Sequence, residues 1–429
     1  KFWVVRAAQE PEAPAMARAS GRGIVRESKF RHLFGEAEKE RFDEIRISIT
    51  KTESTGVRGN GSFAAVAWNA GSGGQVAVLP YSLQGTRIKH DIPRVQVGSA
   101  PLDFEFSPFD DCLMSTASDD GLVKLWRLPQ EGLTENLKEP VACLGGHEKK
   151  ATFATFHPCA DGVIASTSWD LTLRLWDVQQ GEKQRVPLSD QAFHVAWSPN
   201  GESIAVTTKD KQLSVLDPRQ PNSAVTMAIH EGARATKLCW IGDNRILTTG
   251  SSKGASGERE MAMWDVRQPG PPLKLLAIDQ GSGALHAWYD EGTSLLFVGG
   301  KGDGNIRYYE VEDTEFHFLS AFQTTEPQKG LDFVPKRFLD LGKKEVMRAL
   351  KVENSALVAI PFKHPRKSDA FQADIYPPCF AGVPSIPAPE WLAGKNAPPA
   401  YRSMDPAAGA GTQARAAVVA AAPPAAAQP

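Results

Sequence analysis

A short recurring phrase constrains the fold of this chain more than any other feature. In its clearest copy, Asp170 is followed by alternating residues and then by Trp176. Further copies begin at Asp120, Asp210 and Asp303. An Asp carboxylate that accepts backbone hydrogen bonds fixes a tight turn, and the alternation after it is typical of a strand with one buried face. Each phrase therefore predicts a turn followed by a strand.

The repeat also predicts how the strands assemble. A large apolar or aromatic anchor residue recurs along the chain at intervals of roughly 40 to 50 residues. The predicted anchors are Leu79, Trp126, Trp176, Leu216, Trp264, Tyr309 and Leu350. One such unit cannot bury its own faces, so the units must stack into a closed ring. We predict an all-β protein, a seven-bladed β-propeller with four antiparallel strands in each blade.

The ends of the chain are predicted to close this ring. Apolar and basic residues alternate over residues 24–35, and apolar residues alternate again over 42–49, which predicts a strand in each segment. Residues 63–68 and 75–79 flank a glycine-rich turn and predict a hairpin. Because chain ends in a closed ring must share one blade, we predict that the segment near 30–34 completes the last blade.

Four regions are predicted from changes in amino-acid composition along the chain. Residues 1–25 are rich in Ala, Arg, Gly and Pro and are expected to form a flexible lead, with Met16 as a candidate start. The propeller is predicted over 26–355. Residues 356–403 are polar and punctuated by proline but carry aromatic residues, which indicates an arm packed on the propeller. The Ala- and Pro-rich residues 404–429 are expected to be disordered.

Composition narrows the functional classes. Apolar residues make up 41% and charged residues 23%, as in soluble globular proteins. The formal net charge of −2 provides no global attraction to nucleic acid or to a membrane surface. The five cysteines form no CxxC pair, which disfavours a zinc site or a disulfide framework and favours the cytoplasm. No apolar run is long enough to span a bilayer, so we expect no membrane insertion. We also expect no metal and no cofactor.

A histidine near the clearest phrase has two interpretations. The spacing along the sequence allows one hydrogen-bond chain inside a blade, formed by His147, Ser168, Asp170 and Trp176. A His and Asp pair is also found in catalytic dyads, but a weaker version recurs at His230 and Trp264, and an active site would appear once. We therefore predict a structural role for these residues. The same role is predicted for Asp120, Trp126, Asp210 and Asp303.

Other candidate catalytic motifs are weak. Residues 299–304 are rich in glycine, but they lack the spacing of a phosphate-binding loop and fall on a repeat turn, so a turn between strands is favoured. The chain offers no nucleophile elbow, metal-ligand cluster or carboxylate pair outside the repeat register. We therefore expect a binding protein and not an enzyme.

Several segments strongly resemble the coronins, which are WD-repeat proteins that bind filamentous actin. The segments are SKFRH (28–32), FDEIR (42–46), HEGAR (230–234), GKGD (300–303) with IRY (306–308), and RKSD (366–369) with FQ (371–372) and Asp374. The resemblance runs from about Val25 to Trp391. The opening basic segment and the arm after the last blade carry most of its specificity.

The resemblance implies a cytoplasmic, cytoskeletal protein whose partners are filamentous actin, the Arp2/3 complex and cofilin. An arginine that contributes to filament binding in the family corresponds to Arg46, and Lys29 and Arg31 lie in the matching basic opening. Alternation predicts that Arg46 points to solvent. An ion pair of Arg46 with Glu44 is the alternative, and edge-strand protection is the alternative for the basic opening. Trp169 is a candidate rim contact.

One departure from the family leaves two functions open. Short coronins end in a coiled coil, whereas the residues after Trp391 carry no apolar heptads. The first function is an actin-filament-binding scaffold that organises the cytoskeleton. The second is one propeller of a tandem-propeller coronin, a scaffold in Golgi and membrane traffic with weak or no actin binding.

Overall fold

The computed structural model describes residues 26–408, apart from 49, 72, 255, 256 and 369, together with the backbone of 412–414. The predicted lead, residues 1–25, and most of the predicted tail therefore lie outside the described residues. Within the described part, no helix has the length and apolar character needed to cross a bilayer.

Seven sheets follow one another in the described part of the chain, and each forms one blade. Two short strands precede them, β1 (Phe34–Gly35) and β2 (Phe42–Asp43). Blade 1 contains β3 (Val57–Gly59), β4 (Phe63–Trp68), β5 (Gln75–Pro80) and β6 (Val95–Gln96). Blade 2 contains β7 (Pro101–Phe106), β8 (Leu113–Ser118), β9 (Val123–Arg127) and β10 (Ala142–Leu144). Blade 3 contains β11 (Ala151–Phe156), β13 (Val163–Ser168), β14 (Thr172–Asp177) and β15 (Gly181–Pro187), with the short β12 (Ala160–Asp161) outside the sheet.

The remaining blades continue the pattern. Blade 4 contains β16 (Ala192–Trp197), β17 (Ile204–Thr208), β18 (Gln212–Leu216) and β19 (Val225–Ala228). Blade 5 contains β20 (Lys237–Ile241), β21 (Arg245–Ser251), β22 (Arg259–Asp265) and β23 (Lys274–Asp279). Blade 6 contains β24 (Leu285–Asp290), β25 (Leu295–Gly300), β26 (Asn305–Glu312) and β27 (Glu315–Gln323). Blade 7 contains β28 (Gly330–Phe333), β29 (Glu345–Val352) and β30 (Ala356–Lys363).

The N-terminal segment completes blade 7, as predicted. Strand β1 pairs with β30, with Phe34 opposite Lys363 and Gly35 opposite Phe362. Strand β2 pairs with the other end of β30. The residues just before β1 are also core residues, because Phe30 is 0% exposed and packs into the cluster between blades 6 and 7. The two ends of the propeller therefore close the ring through one shared sheet.

The predicted blade boundary at residue 355 needs correction. Six of the seven predicted anchors lie in the third strand of their blade, but Leu350 lies in β29, the second strand of blade 7. Phe362 takes the corresponding third-strand place and packs toward blade 6. The propeller strands therefore continue to Lys363, and the arm begins after them.

The turn that opens each phrase has the predicted geometry. The carboxylate of Asp170 accepts a hydrogen bond from the backbone N–H of Thr172 at 3.0 Å, and Asp120 accepts one from Leu122 at 3.1 Å. Leu171, which follows Asp170, has φ +61°, a left-handed conformation that the short Asp-stabilised turn requires. Asp303 also lies in a turn between β25 and β26, so the predicted connection between strands is formed by residues 301–304, while Gly299 and Gly300 end β25.

These turns define two faces of the ring. We call the face with the turns between second and third strands, such as residues 119–122 and 169–171, the upper face. The opposite face, with the connections between first and second strands, is the lower face.

The arm packs on the lower face of the propeller. Its elements are β31 (Cys379–Phe380), β32 (Ile386–Pro387), α1 (Ala388–Leu392), β33 (Ala400–Arg402) and β34 (Thr412–Ala414). Strand β32 pairs with β12 of blade 3, and Trp391 is buried against blades 3 and 4. The chain then returns, so that Met404 packs into the cluster between blades 6 and 7. Ordered packing thus extends past the predicted start of the tail at 404.

Candidate partner-binding surface

Arg46 lies on the upper face, with its side chain exposed. Its neighbour Ile45 is 2% exposed and belongs to the cluster between blades 7 and 1. The carbonyl oxygen of Arg46 accepts a hydrogen bond from the N–H of Asn69 at 2.8 Å, which fixes the backbone at this point. The sequence prediction that Arg46 points away from its apolar neighbours is therefore correct.

The local secondary structure differs from the prediction. Residues 42–49 do not form one strand: β2 ends at Asp43, and Glu44 has φ +62°, which no extended strand allows. The chain resumes pairing only through a single bridge between Ile47 and Trp68. The carboxylate of Glu44 lies 3.5 Å from Arg87, so its ion-pair partner is Arg87.

A groove of about 590 Å³ runs beside Arg46. Its charged or titratable lining residues in the described part of the chain are Arg46, His90 and Arg94, and none is a carboxylate. Arg94 is held in place, since its guanidinium donates to Gln75 at 2.6 Å and to the carbonyl oxygen of His90 at 2.8 Å. The groove therefore presents fixed positive charge without an acidic neighbour in its lining.

The sequence analysis missed His90 and Arg94. Both lie in the irregular connection between β5 and β6, which belongs to no motif. The connection reaches Arg46 through the pairing of β6 with β5 and through backbone hydrogen bonds of Asp43 with Thr86 and Ile88. No pattern in the sequence signals that proximity.

The structure does not bring Lys29 and Arg31 together with Arg46. The ammonium group of Lys29 donates to the carbonyl oxygen of Asp374 in the arm at 2.6 Å, and Arg31 is exposed nearby. Both precede β1, which pairs with the Lys363 end of β30, whereas Arg46 follows β2 at the Ala356 end. A strand of eight residues spans roughly 25 Å. The basic opening therefore lies toward the lower face.

The histidine in blade 3 belongs to a structural chain. The indole N–H of Trp176 donates to the Ser166 hydroxyl at 2.7 Å, and that hydroxyl lies 2.8 Å from Nε2 of His147. Nδ1 of His147 lies 2.9 Å from the carboxylate of Asp170. The prediction placed Ser168 in this chain, but Ser166 makes the link to Trp176. The hydroxyl of Ser168 instead accepts from the N–H of Asp170 and donates to the carbonyl oxygen of Lys149, both at 3.0 Å.

The electrostatics of this chain fit a neutral imidazole. Burial lowers the pKa of His147, and the hydrogen bond to Asp170 compensates only in part. Burial raises the pKa of Asp170, but hydrogen bonds from Thr172 and His147 outweigh it and hold the pKa well below its ordinary value. A neutral His147 with its proton on Nδ1 donates to Asp170 and accepts from Ser166, so every polar group is satisfied.

Blade 5 repeats the arrangement with different residues. The indole N–H of Trp264 donates to Thr248 at 2.7 Å, Thr248 lies 2.8 Å from Nε2 of His230, and Nδ1 of His230 lies 2.8 Å from Glu260. In blade 2, Trp126 donates to Thr116 at 3.0 Å, and Asp120 accepts from Ser118 at 2.6 Å. Recurrence in several blades supports a structural role.

The other repeat aspartates also have structural partners. Asp210 accepts from the hydroxyl of Thr208 at 2.5 Å. Asp303 pairs with the buried guanidinium of Arg259 at 2.9 Å. These contacts join the turns of the upper face to the body of each blade.

The central channel is lined by charged side chains from the first strands. The guanidinium of Arg58 lies 3.5 Å from Asp103 and 3.5 Å from Asp332. Burial raises the pKa of Glu105 to about 7, although Arg58 opposes the shift. Among the residues the structure describes, no three His, Cys, Asp or Glu side chains are grouped to hold a metal ion.

Trp169 is also on the upper face. Its indole is 42% exposed, and the ammonium group of Lys150 lies 5.2 Å from the ring centroid. The adjacent Leu171 is 37% exposed. The upper face thus offers an exposed aromatic side chain as well as the basic groove beside Arg46.

Three sequence families match parts of this chain. A domain of unknown function (DUF1899) matches residues 23–86, the WD domain, G-beta repeat, matches 97–127 and 138–177, and a type of WD40 repeat matches 357–399. The first match includes β1, β2 and Arg46. The last includes most of β30 and much of the arm.

Whole-chain comparisons give similar relatives. The chain is 36% identical over 395 residues to a coronin-like protein of Schizosaccharomyces pombe, covering 90% of this chain and 65% of that protein. It is 36% identical over 387 residues to coronin-A of Dictyostelium discoideum, covering 89% and 86%. Human coronin-2A is 34% identical over 397 residues, covering 89% and 75%. The chain spans less than two thirds of the length of the fission yeast relative.

A solved structure has the same fold. The crystal structure of the WD40 domain from Toxoplasma gondii coronin superposes with a TM-score of 0.83 and 36% sequence identity. The similarity covers 88% of this chain and 98% of that chain.

Proposed function

This chain belongs to the coronin family, and we propose that it binds actin filaments through its upper face as a scaffold of the actin cytoskeleton. The observation that carries the proposal is the groove beside Arg46, where Arg46, His90 and Arg94 line about 590 Å³ without a carboxylate. Its cellular place in this proposal is the cytoplasm, on actin structures.

The chemistry of the partner supports this choice of surface. Actin is acidic, and a rigid positive groove attracts an acidic surface and orients the encounter. Because these contacts are exposed, screening over about 10 Å at 0.1 M salt weakens them. Filament binding by this surface is therefore expected to fall as salt rises.

Arg46 is the central residue of this proposal, and Lys29 and Arg31 have a different role in it. The basic opening lies near the Lys363 end of β30, whereas Arg46 lies near its Ala356 end. Lys29 already contacts the arm through the carbonyl oxygen of Asp374. We assign the basic opening to ring closure and arm docking.

High-speed co-sedimentation with filamentous actin tests the proposal. Wild-type protein is expected to pellet with filaments at low salt. Arg46→Asp is expected to reduce the pelleted fraction by about tenfold or more, because it replaces attraction to an acidic surface by repulsion from it. Arg31→Asp is the matched control, because Arg31 is also exposed but lies toward the lower face. Absence of pelleting by the wild type would reject actin as the partner. Equal pelleting of wild type and Arg46→Asp would remove Arg46 from the site.

The Arp2/3 complex and cofilin are further partners that family membership suggests. Pull-down of each purified partner with this chain, in the absence of filaments, separates a direct interaction from one that occurs through actin.

A further inference from the structure

A second cavity, of about 650 Å³, lies on the upper face beside the Arg46 groove. It is bounded by the 50–54 segment, which connects the Arg46 region to blade 1, and by loops of blades 6 and 7. The two cavities share Ile47 and Asn354. A volume in the range of about 300 to 1,000 Å³ is typical of small-molecule sites.

The polar lining of this cavity is basic and rich in hydroxyl groups. Its charged residues are Lys51, Lys301 and Lys329, and its lining in the described part of the chain contains no carboxylate. Its other polar side chains are Ser48, Thr50, Thr52, Ser54, Gln328 and Asn354. Such a set of donors suits an anionic ligand that also carries hydrogen-bonding groups.

Lys301 is half-buried and differs in its partners from the buried lysines of the ring. Lys237 pairs with Glu53 at 2.5 Å, and Lys351 pairs with Glu353 at 2.7 Å. Within the described residues, Lys301 has no carboxylate within ion-pair distance, and its ammonium group donates only to the carbonyl oxygen of Thr52, at 3.4 Å. Burial, together with the charge of Lys237, lowers the pKa of Lys301 to about 8.

The nearest carboxylates are engaged elsewhere. Glu53 accepts from Lys237 through its side chain. Asp103 accepts from Ser54 at 2.6 Å and faces Arg58 in the channel. The positive charge of the cavity is therefore not neutralised by a direct partner at Lys301.

Gln328 supplies an independent observation. This side chain is 0% exposed, and its amide N–H groups donate to the carbonyl oxygens of Gly300 at 2.8 Å and Asn305 at 3.1 Å. Its carbonyl oxygen, Oε1, is buried and has no hydrogen-bond partner among the described residues. A buried acceptor in a cavity wall that lacks a donor matches a ligand hydroxyl.

We propose that this cavity binds a phosphate group carried on a hydroxyl-bearing small molecule, with Lys301 as the half-buried cation and the exposed Lys51 and Lys329 at the rim. The phosphate meets the lysines and the Ser and Thr hydroxyls, and a ligand hydroxyl donates to Gln328. An inositol phosphate has this combination, either free or as a lipid headgroup. The proposal does not depend on filament binding, because the two sites are tested separately.

Isothermal titration calorimetry with inositol 1,4,5-trisphosphate tests the site. The wild type binds, and Lys301→Gln weakens the affinity by about tenfold or more through loss of one charge-assisted contact. Lys395→Gln, which removes an exposed lysine of the arm, stays within about twofold of wild type, as expected for a charge on the opposite face. Thermal melts verify that each variant is folded. If Lys301→Gln does not fold, Lys329→Gln replaces it, since Lys329 is exposed and its removal leaves the core intact.

Two further experiments identify the source of the phosphate. Binding of the soluble trisphosphate without co-flotation on vesicles containing phosphatidylinositol bisphosphate assigns a free ligand. Co-flotation on those vesicles, but not on phosphatidylcholine alone, assigns a lipid headgroup. Binding of inorganic phosphate as tightly as the trisphosphate would overturn the role of the hydroxyl group. Absence of binding to all three probes, or equal binding by wild type, Lys301→Gln and Lys329→Gln, would overturn the proposal.

Discussion

The phenol of Tyr308 donates a hydrogen bond to the carbonyl oxygen of Leu33 at 2.8 Å, although 275 residues separate them. Tyr308 lies in the third strand of blade 6, and Leu33 directly precedes β1 of blade 7. The closing segment is thus held by blade 6 as well as by its pairing with β30. The seam of the ring is a packed core and not only a ladder of backbone hydrogen bonds.

The closing segment contains one buried and one exposed phenylalanine, and comparing them tests whether burial of the segment stabilises the ring. Phe30 is 0% exposed and Phe34 is 43% exposed. Phe30→Ala is expected to lower the free energy of unfolding by about 3 to 5 kcal/mol, and Phe34→Ala by less than about 1 kcal/mol. Urea denaturation curves measure both. Equal losses would show that the segment does not contribute to the core through Phe30.

A pair of tryptophans tests how the arm is held. Trp391 is 1% exposed, its ring centroid lies 4.4 Å from the guanidinium of Arg219, and its indole N–H donates to the carbonyl oxygen of Gly201 at 3.2 Å. Trp391→Ala is expected to cost about 3 to 5 kcal/mol and to expose the arm to limited proteolysis. Trp169→Ala is the control, because Trp169 is 42% exposed. An arm that stays resistant in Trp391→Ala would contradict this role.

His157 makes stability depend on pH. Burial lowers its pKa to about 4, and Arg219 adds to the effect while the hydrogen bond to Gly201 opposes it. Because the folded pKa lies below the unfolded value of about 6.5, the stabilisation is complete above that pH and is lost as the pH falls toward 4, by about 3 kcal/mol in total. In His157→Asn, the amide oxygen takes over the acceptor role of Nδ1 toward Cys159 and Ala160. The variant does not titrate.

The measurement for His157 is urea unfolding at neutral and at acidic pH. His157→Asn is expected to be less stable than wild type at about pH 7, and the difference is expected to narrow at about pH 4.5. A difference that stays constant between the two conditions would exclude His157 as a source of the pH dependence.

A double-mutant cycle tests which serine connects the Trp176 indole to the hydrogen-bond chain of blade 3. Ser166→Ala and Trp176→Phe remove two ends of one hydrogen bond, so they are expected to couple by about 0.5 to 3 kcal/mol. Ser168→Ala combined with Trp176→Phe is expected to be additive within about 0.5 kcal/mol, since Ser168 does not contact the indole. Thermal or urea unfolding of the single and double variants gives both values. Coupling through Ser168 instead would contradict the geometry.

The ring could be predicted from the sequence because its cause is periodic. The Asp turn and the anchor recur in each unit, and a repeat that cannot bury itself must close. The same periodic reasoning failed at Leu350, because the second strand of blade 7 is as apolar as the third and offers an anchor at nearly the right interval. It also failed at Glu44, where one left-handed residue ends a strand that alternation would have continued.

The candidate sites were less predictable, for a physical reason. The exposure of Arg46 was predicted from alternation and is observed, although Arg46 lies outside any strand. Its neighbours Arg94 and His90 come from a loop that only tertiary pairing brings close. Lys301 resembles any surface lysine in the sequence, and its missing carboxylate is visible only in three dimensions. Ser166 and Ser168 are two residues apart on one strand and point to the same face, so the choice between them depends on how far along the strand the indole lies.

The shared seventh sheet has a consequence for biosynthesis. Phe34 leaves the ribosome long before Lys363, which is its partner across the sheet. Strand β1 therefore stays unpaired, with its aromatic side chains exposed, until nearly the whole ring has been translated. Contacts between such distant residues form slowly, and an unpaired edge is prone to pair with the wrong chain. Cells that make this protein must therefore protect its beginning until its partner strand has been translated.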